Sequence, residues 1–419
     1  MKSQRRRTRI ASALCAGVLV VGLAACSSSD DGGSAEATAD ESALGAPNKA
    51  TGTPVTFGFI GEGAGQTINS VDETKGAIAA INYANEYLGG LGGHPITLKV
   101  CESLGVPTGA TDCASQMVAA KVSAVLGGSN GQADQVISVL APAGIPMINH
   151  TQSTQAGLTT PGIFSMFNGL SYFGGPAGWA ADEGIKSVDQ IVIAVPAAEG
   201  AAKIGETLFK NAGLSVTTTS IAPGVADMTP QITSAANDNP GLYHINGSAD
   251  FCTSAIKAVK TVDPDAKMSI IERCIAAGNA ASIPGGYEGL KVAVSADLDT
   301  TTPDGKLFSA IIAKYGDGAD ISSMTSAGYA PALGTVNALN AANITDTSPA
   351  GVLAALKTAP PTEYPNSGGI LFQCNSKPIA FAPNICSADG ILATADKDGN
   401  LSDYQKIAAD PALYKMPGS

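Results

Sequence analysis

The chain has 419 residues, 44% of them apolar and 14% charged, with 49 glycines. It is too long for one ordinary core and too apolar for a disordered chain, so two lobes are the default expectation. Its 24 basic residues, less the five in 1–25, leave 19 against 36 acidic, a net charge of −17, which argues against nucleic acid as a partner and against a polybasic grip on anionic lipid.

Residues 1–25 read as an export signal. Lys2, Arg5, Arg6, Arg7 and Arg9 give a basic start, and residues 10–21 an apolar core too short to span a membrane as a stable helix. Leu23-Ala24-Ala25-Cys26 then resembles the bacterial lipobox, which implies cleavage before the cysteine and lipidation of Cys26. The bland alternative is an ordinary secretion signal with a chance cysteine. Residues 27–53, rich in Ser, Asp, Gly, Ala and Thr, read as a flexible tether, since that composition cannot build a core.

Six further cysteines remain: Cys101, Cys113, Cys252, Cys274, Cys374 and Cys386. An even number in an exported chain points to disulfides, with the pairing left open by sequence. Nearest neighbours would pair 101–113, 252–274 and 374–386, each closing a local loop. A zinc site is disfavoured by the absence of C-x2-C spacing and by only three histidines, so no metal and no cofactor is expected.

In chain order, residues 54–60 (PVTFGFI) read as a buried strand and 61–65 (GEGAG) as a turn. A dinucleotide fingerprint would need glycine where Gln66 stands. Residues 70–88 form a helical pattern with Ala77, Ile78, Ile81, Ala84, Tyr87 and Leu88 on one face, ended by GGLGGHP at 89–95. A strand at 96–100, a helix at 111–121 and a strand at 122–126 lead into Gly127-Gly128-Ser129-Asn130-Gly131, followed by apolar residues 136–140. The strand at 145–148 runs into Asn149-His150-Thr151-Gln152-Ser153-Thr154, and 164–167 closes this half.

A second series starts near 170. Helices are expected at 173–183, 201–212, 228–237 and 251–261, and strands at 190–195, 214–220, 241–245, 268–271 and 291–295. Between them lie loops at 196–200 and 246–250 and the segment Glu272-Arg273-Cys274. Helices near 304–315, 325–343 and 349–357 follow, and β-hairpins at 369–372 and beyond 381 finish the chain. Alternating strands and helices predict parallel sheets with right-handed crossovers, and ligands beyond the C-terminal strand ends.

The glycine turn 127–131 carries two readings. As strand-turn-helix it offers N–H groups and helix-dipole charge to a bound anion, with Ser129 and Asn130 adding side-chain bonds. It also matches G-x-S-x-G, the nucleophile elbow of serine hydrolases. A hydrolase needs a late histidine, and none occurs after His244. Ligand holding is therefore preferred and no enzyme activity is expected, with the exported hydrolase kept as the alternative. The remaining singled-out residues have bland readings beside them. Those are surface for His94, packing for Trp179, core for Tyr329 and a simple ion pair for Glu272 with Arg273. His150 is either a cleft residue or a loop residue bonded to backbone.

Four stretches carry a family resemblance: VTFGFIGEGAG, AINYANEYLGGLGGHPITLKV, VSAVLGGSNGQADQVISVLAPAGIPMINHTQST and SAGYAPALGTVNALNAAN. In order and spacing they resemble the extracellular solute-binding proteins of ABC transporters, the branched-chain amino-acid-binding group of type I periplasmic binding proteins. The resemblance covers residues 54–405 and implies two Rossmann-like α/β lobes with a ligand cleft between them. It further implies three interlobe crossovers, placed near 170, 298 and 376, so that 54–170 plus 298–376 make the first lobe and 171–297 plus 377–419 the second. By resemblance the ligand is held by Ser129, Asn130, Thr151, Gln152 and Ser153 in the first lobe, and by Glu199, Asn246 and Glu272 in the second. The implied role is a monomeric receptor, lipid-anchored on the extracellular face of the membrane, that delivers a small solute to ABC permease subunits; a sensor of the same fold is the other possibility. Two departures stand out. Ala197-Ala198-Glu199 replaces the expected aromatic residue, and Glu272-Arg273-Cys274-Ile275 stands where an acidic residue meets the ligand ammonium.

Overall fold

The computed structural model describes residues 41–65, 69–128, 130–276, 278–410 and 412–415. Strand β1 (Val55–Gly61), helix α1 (Val71–Tyr87), β2 (Ile96–Glu102), α2 (Pro107–Ala119), β3 (Val125–Gly127), α3 (Ala133–Leu140), β4 (Met147–Asn149), α4 (Gln155–Thr159) and β5 (Ile163–Ser165) build the first half. The strands pair in parallel in the order β2-β1-β3-β4-β5. Buried β-branched and aromatic residues such as Val55, Phe57, Phe59 and Ile60 in β1 explain why this segment is a central strand.

The chain then enters a second sheet. Its elements are α5 (Ser171–Asp182), β6 (Ser187–Ile193), α6 (Pro196–Asn211), β7 (Ser215–Ile221), α7 (Thr229–Ala236), β8 (Leu242–Asn246), α8 (Ala249–Val262), β9 (Met268–Ile271) and β10 (Lys291–Val294). Helices α9 (Pro303–Tyr315), α10 (Ser323–Ala341) and α11 (Pro349–Thr358) follow, with a small ribbon of β11 (Thr362–Glu363) and β12 (Leu371–Phe372). Finally β13 (Gly390–Ala395) and β14 (Leu401–Ile407) add an antiparallel hairpin to β10. The second sheet has the order β14-β13-β10-β9-β8-β6-β7.

Helix α10 returns to pack on α1 of the first half, and two glycines let the backbones touch. A Cβ on Gly76 would lie 2.1 Å from Thr325 O, and one on Gly328 would lie 1.7 Å from Glu73 O. No larger residue fits at either place.

Residues 41–53 differ from the flexible tether expected there. Leu44 and Ala50 are buried, and the Asn48 and Ala50 N–H groups donate to Glu86 O and Asn85 O. Two apolar side chains and a run of backbone bonds suffice to fix this short segment on α1.

A polar row crosses the second sheet. Thr218, Gln190, His244, Ser269, Lys291, Thr394 and Ser402 are successive partners across β7, β6, β8, β9, β10, β13 and β14. Within it His244 Nδ1 lies 2.9 Å from Ser269 Oγ, and Lys291 Nζ donates to Thr394 Oγ1 at 2.8 Å. His244 is thus a core residue.

All three disulfides join sequence neighbours: Cys101–Cys113, Cys252–Cys274 and Cys374–Cys386. Among the described residues no helix is long and apolar enough to cross a membrane, and no group of three or more His, Cys, Asp or Glu is arranged to hold a metal.

Candidate functional site

Three post-strand loops of the first sheet meet at one edge. Strands β3 and β4 are neighbours with Gly127 opposite Asn149, and the His150 N–H donates to Gly127 O at 2.9 Å. Strand β1 flanks β3 on its other side and brings up residues 61–65. From there Glu62, 6% exposed, reaches across to accept the Gly131 N–H at 2.7 Å through Oε1.

Ser129 lies outside the described residues. Beside it, Asn130 Oδ1 accepts the Gln132 N–H at 2.8 Å. That bond fixes the amide orientation and leaves Nδ2 as a buried donor without a partner. The Gly131 and Gln132 N–H groups, expected as receivers of a ligand anion, therefore already have partners inside the chain.

His150 is 1% exposed. Its ring stacks on Phe167 at 5.6 Å and on Tyr364 at 5.9 Å, and Nδ1 lies 2.6 Å from the Tyr364 hydroxyl. Burial lowers its pKa to about 3, so the imidazole is neutral, and Nε2 has no partner. Thr151 is half-buried. Gln152 is buried, its N–H donating to Ser165 Oγ at 2.8 Å while Nε2 has no partner. Ser153 is exposed. Thr154 caps α4 by accepting the Gly157 N–H and donates to Asp134 Oδ1 at 2.5 Å.

In the second sheet, residues 196–200 are the first turn of α6 rather than the loop expected; a proline at the start suits a helix, having no N–H to leave unpaired. Glu199, in that turn, is exposed and accepts from Ser220 Oγ at 2.8 Å. Asn246 ends β8, half-buried, and Ser248 caps α8 through the Phe251 N–H. Glu272 forms no ion pair with Arg273. Its oxygens accept the Tyr172 hydroxyl at 2.6 Å, Ser295 Oγ at 2.8 Å and the Ser295 N–H at 3.1 Å. Burial first, and then this carboxylate, raise the Tyr172 pKa well above its usual value. Arg273 is exposed and is the one arginine after residue 9. The Cys252–Cys274 disulfide joins the first turn of α8 to this segment.

The other singled-out residues pack as their bland readings hold. Tyr329 is fully buried, and Trp179 lies on α5 with Lys267 Nζ 6.0 Å from its ring. His94 bonds backbone through Thr53 O. Sequence reasoning missed Glu62, Tyr172 and Tyr364. Glu62 had a local signal, a carboxylate between glycines directly after the first strand. Tyr364 had none, since it is 214 residues from His150.

The periplasmic binding protein family model matches residues 54–382. A search of curated protein sequences finds no match. Among solved structures, a putative branched-chain amino acid ABC transporter protein from Rhodospirillum rubrum is similar at TM-score 0.69, with 16% identity, covering 83% of this chain and 100% of that one. LivJ from Streptococcus pneumoniae, in complex with isoleucine, is similar at TM-score 0.63, with 17% identity over 85% and 99% of the two chains. A fatty acid ABC transporter substrate-binding protein from Thermomonospora curvata is similar at TM-score 0.66, with 16% identity over 87% and 95%. The serine-hydrolase alternative has no support among them. The two sheets, their C-terminal polar loops and a match over most of the chain converge: the chain belongs to the periplasmic binding protein family, whose members bind solutes outside the cytoplasm.

Proposed function

We propose that this chain is the receptor of an ABC importer, which captures a small polar solute between two lobes and releases it to the permease without chemical change. The observation that carries this is the pair of adjacent loops after β3 and β4. They hold three buried polar atoms without a partner, Asn130 Nδ2, His150 Nε2 and Gln152 Nε2. Buried polar atoms are normally bonded, so three orphans at the C-terminal edge of one parallel sheet fit a site that a ligand completes. Ser129, Thr151 and Ser153 belong to the same loops. Asn246, Glu199 and the 272–274 segment are the facing contributors in the second lobe, and hinge bending at the crossovers closes the site.

The relatives differ in what their names state, isoleucine for one and fatty acids for another, so the fold leaves the solute to be read from the loops. The chain works as a monomer, tethered through a lipid on Cys26. The test is Asn130→Ala together with Gln152→Ala in the mature protein. Solute affinity falls at least tenfold while the melting temperature in the absence of solute moves by a few degrees; unchanged affinity contradicts the site.

A further inference from the structure

Glu62 occupies a position that the glycine turn would otherwise offer to a ligand anion. Its carboxylate accepts the Gly131 N–H at 2.7 Å, two residues before α3 begins, at the partial positive charge of the helix N-terminus. It is 6% exposed, and among the described residues no lysine or arginine pairs with it. The next N–H along, that of Gln132, is taken by Asn130 Oδ1. Two more carboxylates border the same loops. Glu73 is fully buried against the turn, where a Cβ on Gly128 would lie 1.9 Å from its Oε1. Glu102 lies against the β1 loop, where a Cβ on Gly63 would lie 2.4 Å from its Oε2. In the adjoining loop the buried His150 stays neutral and keeps Nε2 unpartnered, so no positive charge is added from that side.

We infer that Glu62 is a specificity-determining residue, which fills the anion position with the chain's own carboxylate and so selects solutes with no free carboxylate there. A second anion is repelled in a low-dielectric site beside a buried carboxylate that no described lysine or arginine neutralises. A neutral or cationic group bearing N–H donors, such as an amide, urea or amine, is attracted by it. The inference rests on the binding site proposed above.

Matched pairs of probes differing only in carboxylate or carboxamide test it: leucine and leucinamide, phenylalanine and phenylalaninamide, acetate and acetamide, propionate and propionamide. Affinities are read by calorimetry on the mature protein, on Glu62→Ala, which vacates the Gly131 N–H, and on Glu62→Gln, which keeps an acceptor there but removes the charge. Expected are wild-type binding confined to amide members and at least tenfold gain for the acid members in Glu62→Ala, with a smaller gain in Glu62→Gln. Tighter wild-type binding of an acid than of its amide overturns the inference and leaves the receptor reading intact. No binding by wild type or either variant overturns both. Should Glu62→Ala not fold, Glu62→Gln alone decides, since equal acid affinities in it and wild type contradict the charge argument.

Discussion

The Tyr172 hydroxyl donates to Glu272 Oε1 at 2.6 Å, joining the start of α5, where the chain enters the second sheet, to the turn that follows β9. Ser295, just past the end of β10, donates to the same carboxylate twice. Glu272 therefore ties together three segments at one end of the second sheet. Tyr172→Phe removes one charge-assisted bond and costs about 1.5–3 kcal/mol. Glu272→Ala is expected to cost more, since it strands both partners. Urea unfolding of the two variants and the double variant checks this; additive losses would show that the two residues are not coupled.

The Cys252–Cys274 disulfide closes 22 residues and holds the α8 start beside the Glu272 segment. Cys252→Ala with Cys274→Ala is predicted to lose about 3 kcal/mol. Because the bridge joins two of the segments assigned to the solute, affinity should fall as well. Replacing Cys101 and Cys113, which join β2 to α2, should cost a similar amount of stability, since that bridge also closes a short local loop.

Two histidines set the acid limit. Burial lowers the pKa of both His150 and His244 to about 3. The unfolded chain takes up protons below about pH 6.5 that the folded chain refuses, so this stability is present above that pH and is lost as pH falls. Each histidine withdraws about 2 kcal/mol between pH 6.5 and 5. Asp304 opposes them. Burial raises its pKa to about 6, so below pH 6 the folded form gains the proton first, returning about 1 kcal/mol by pH 5. Stability measured by urea titration should fall across this range, and His244→Gln should flatten the fall by close to one proton. An unchanged slope in that variant would show that His244 is not the group refusing protons.

If Cys26 carries the lipid, metabolic labelling with an alkyne fatty acid marks the wild-type protein, and Cys26→Ser abolishes the label and releases the chain from the membrane fraction. Label that persists in the variant would contradict the lipobox assignment.

Much of the fold was legible because the pattern is strong. The β-branched runs of β1 and β6 and the buried Ala77, Ile81 and Ala84 of α1 specify period and burial locally. The packing of residues 41–53 was not legible, because Leu44 is the one large apolar residue in the segment and its burial depends on where α1 sits. In the candidate site, sequence pointed to the loops but not to the partners of their side chains. Glu62 reaching Gly131 and Tyr364 reaching His150 are contacts over 69 and 214 residues, set by tertiary packing. Glu272 read in sequence as a ligand contact or a partner of Arg273 for the same reason: Tyr172 is 100 residues away.

The central claim is that the protein holds a small solute. A thermal-shift screen of the mature protein against small amides, urea, amines, amino acids and short acids tests it most directly. A solute at 100 times its dissociation constant adds about 2.7 kcal/mol and raises the melting temperature by several degrees. The account predicts such a shift, for a neutral or cationic solute, that is reduced in the Asn130→Ala, Gln152→Ala protein. A folded protein whose melting temperature no member of the panel moves would contradict it.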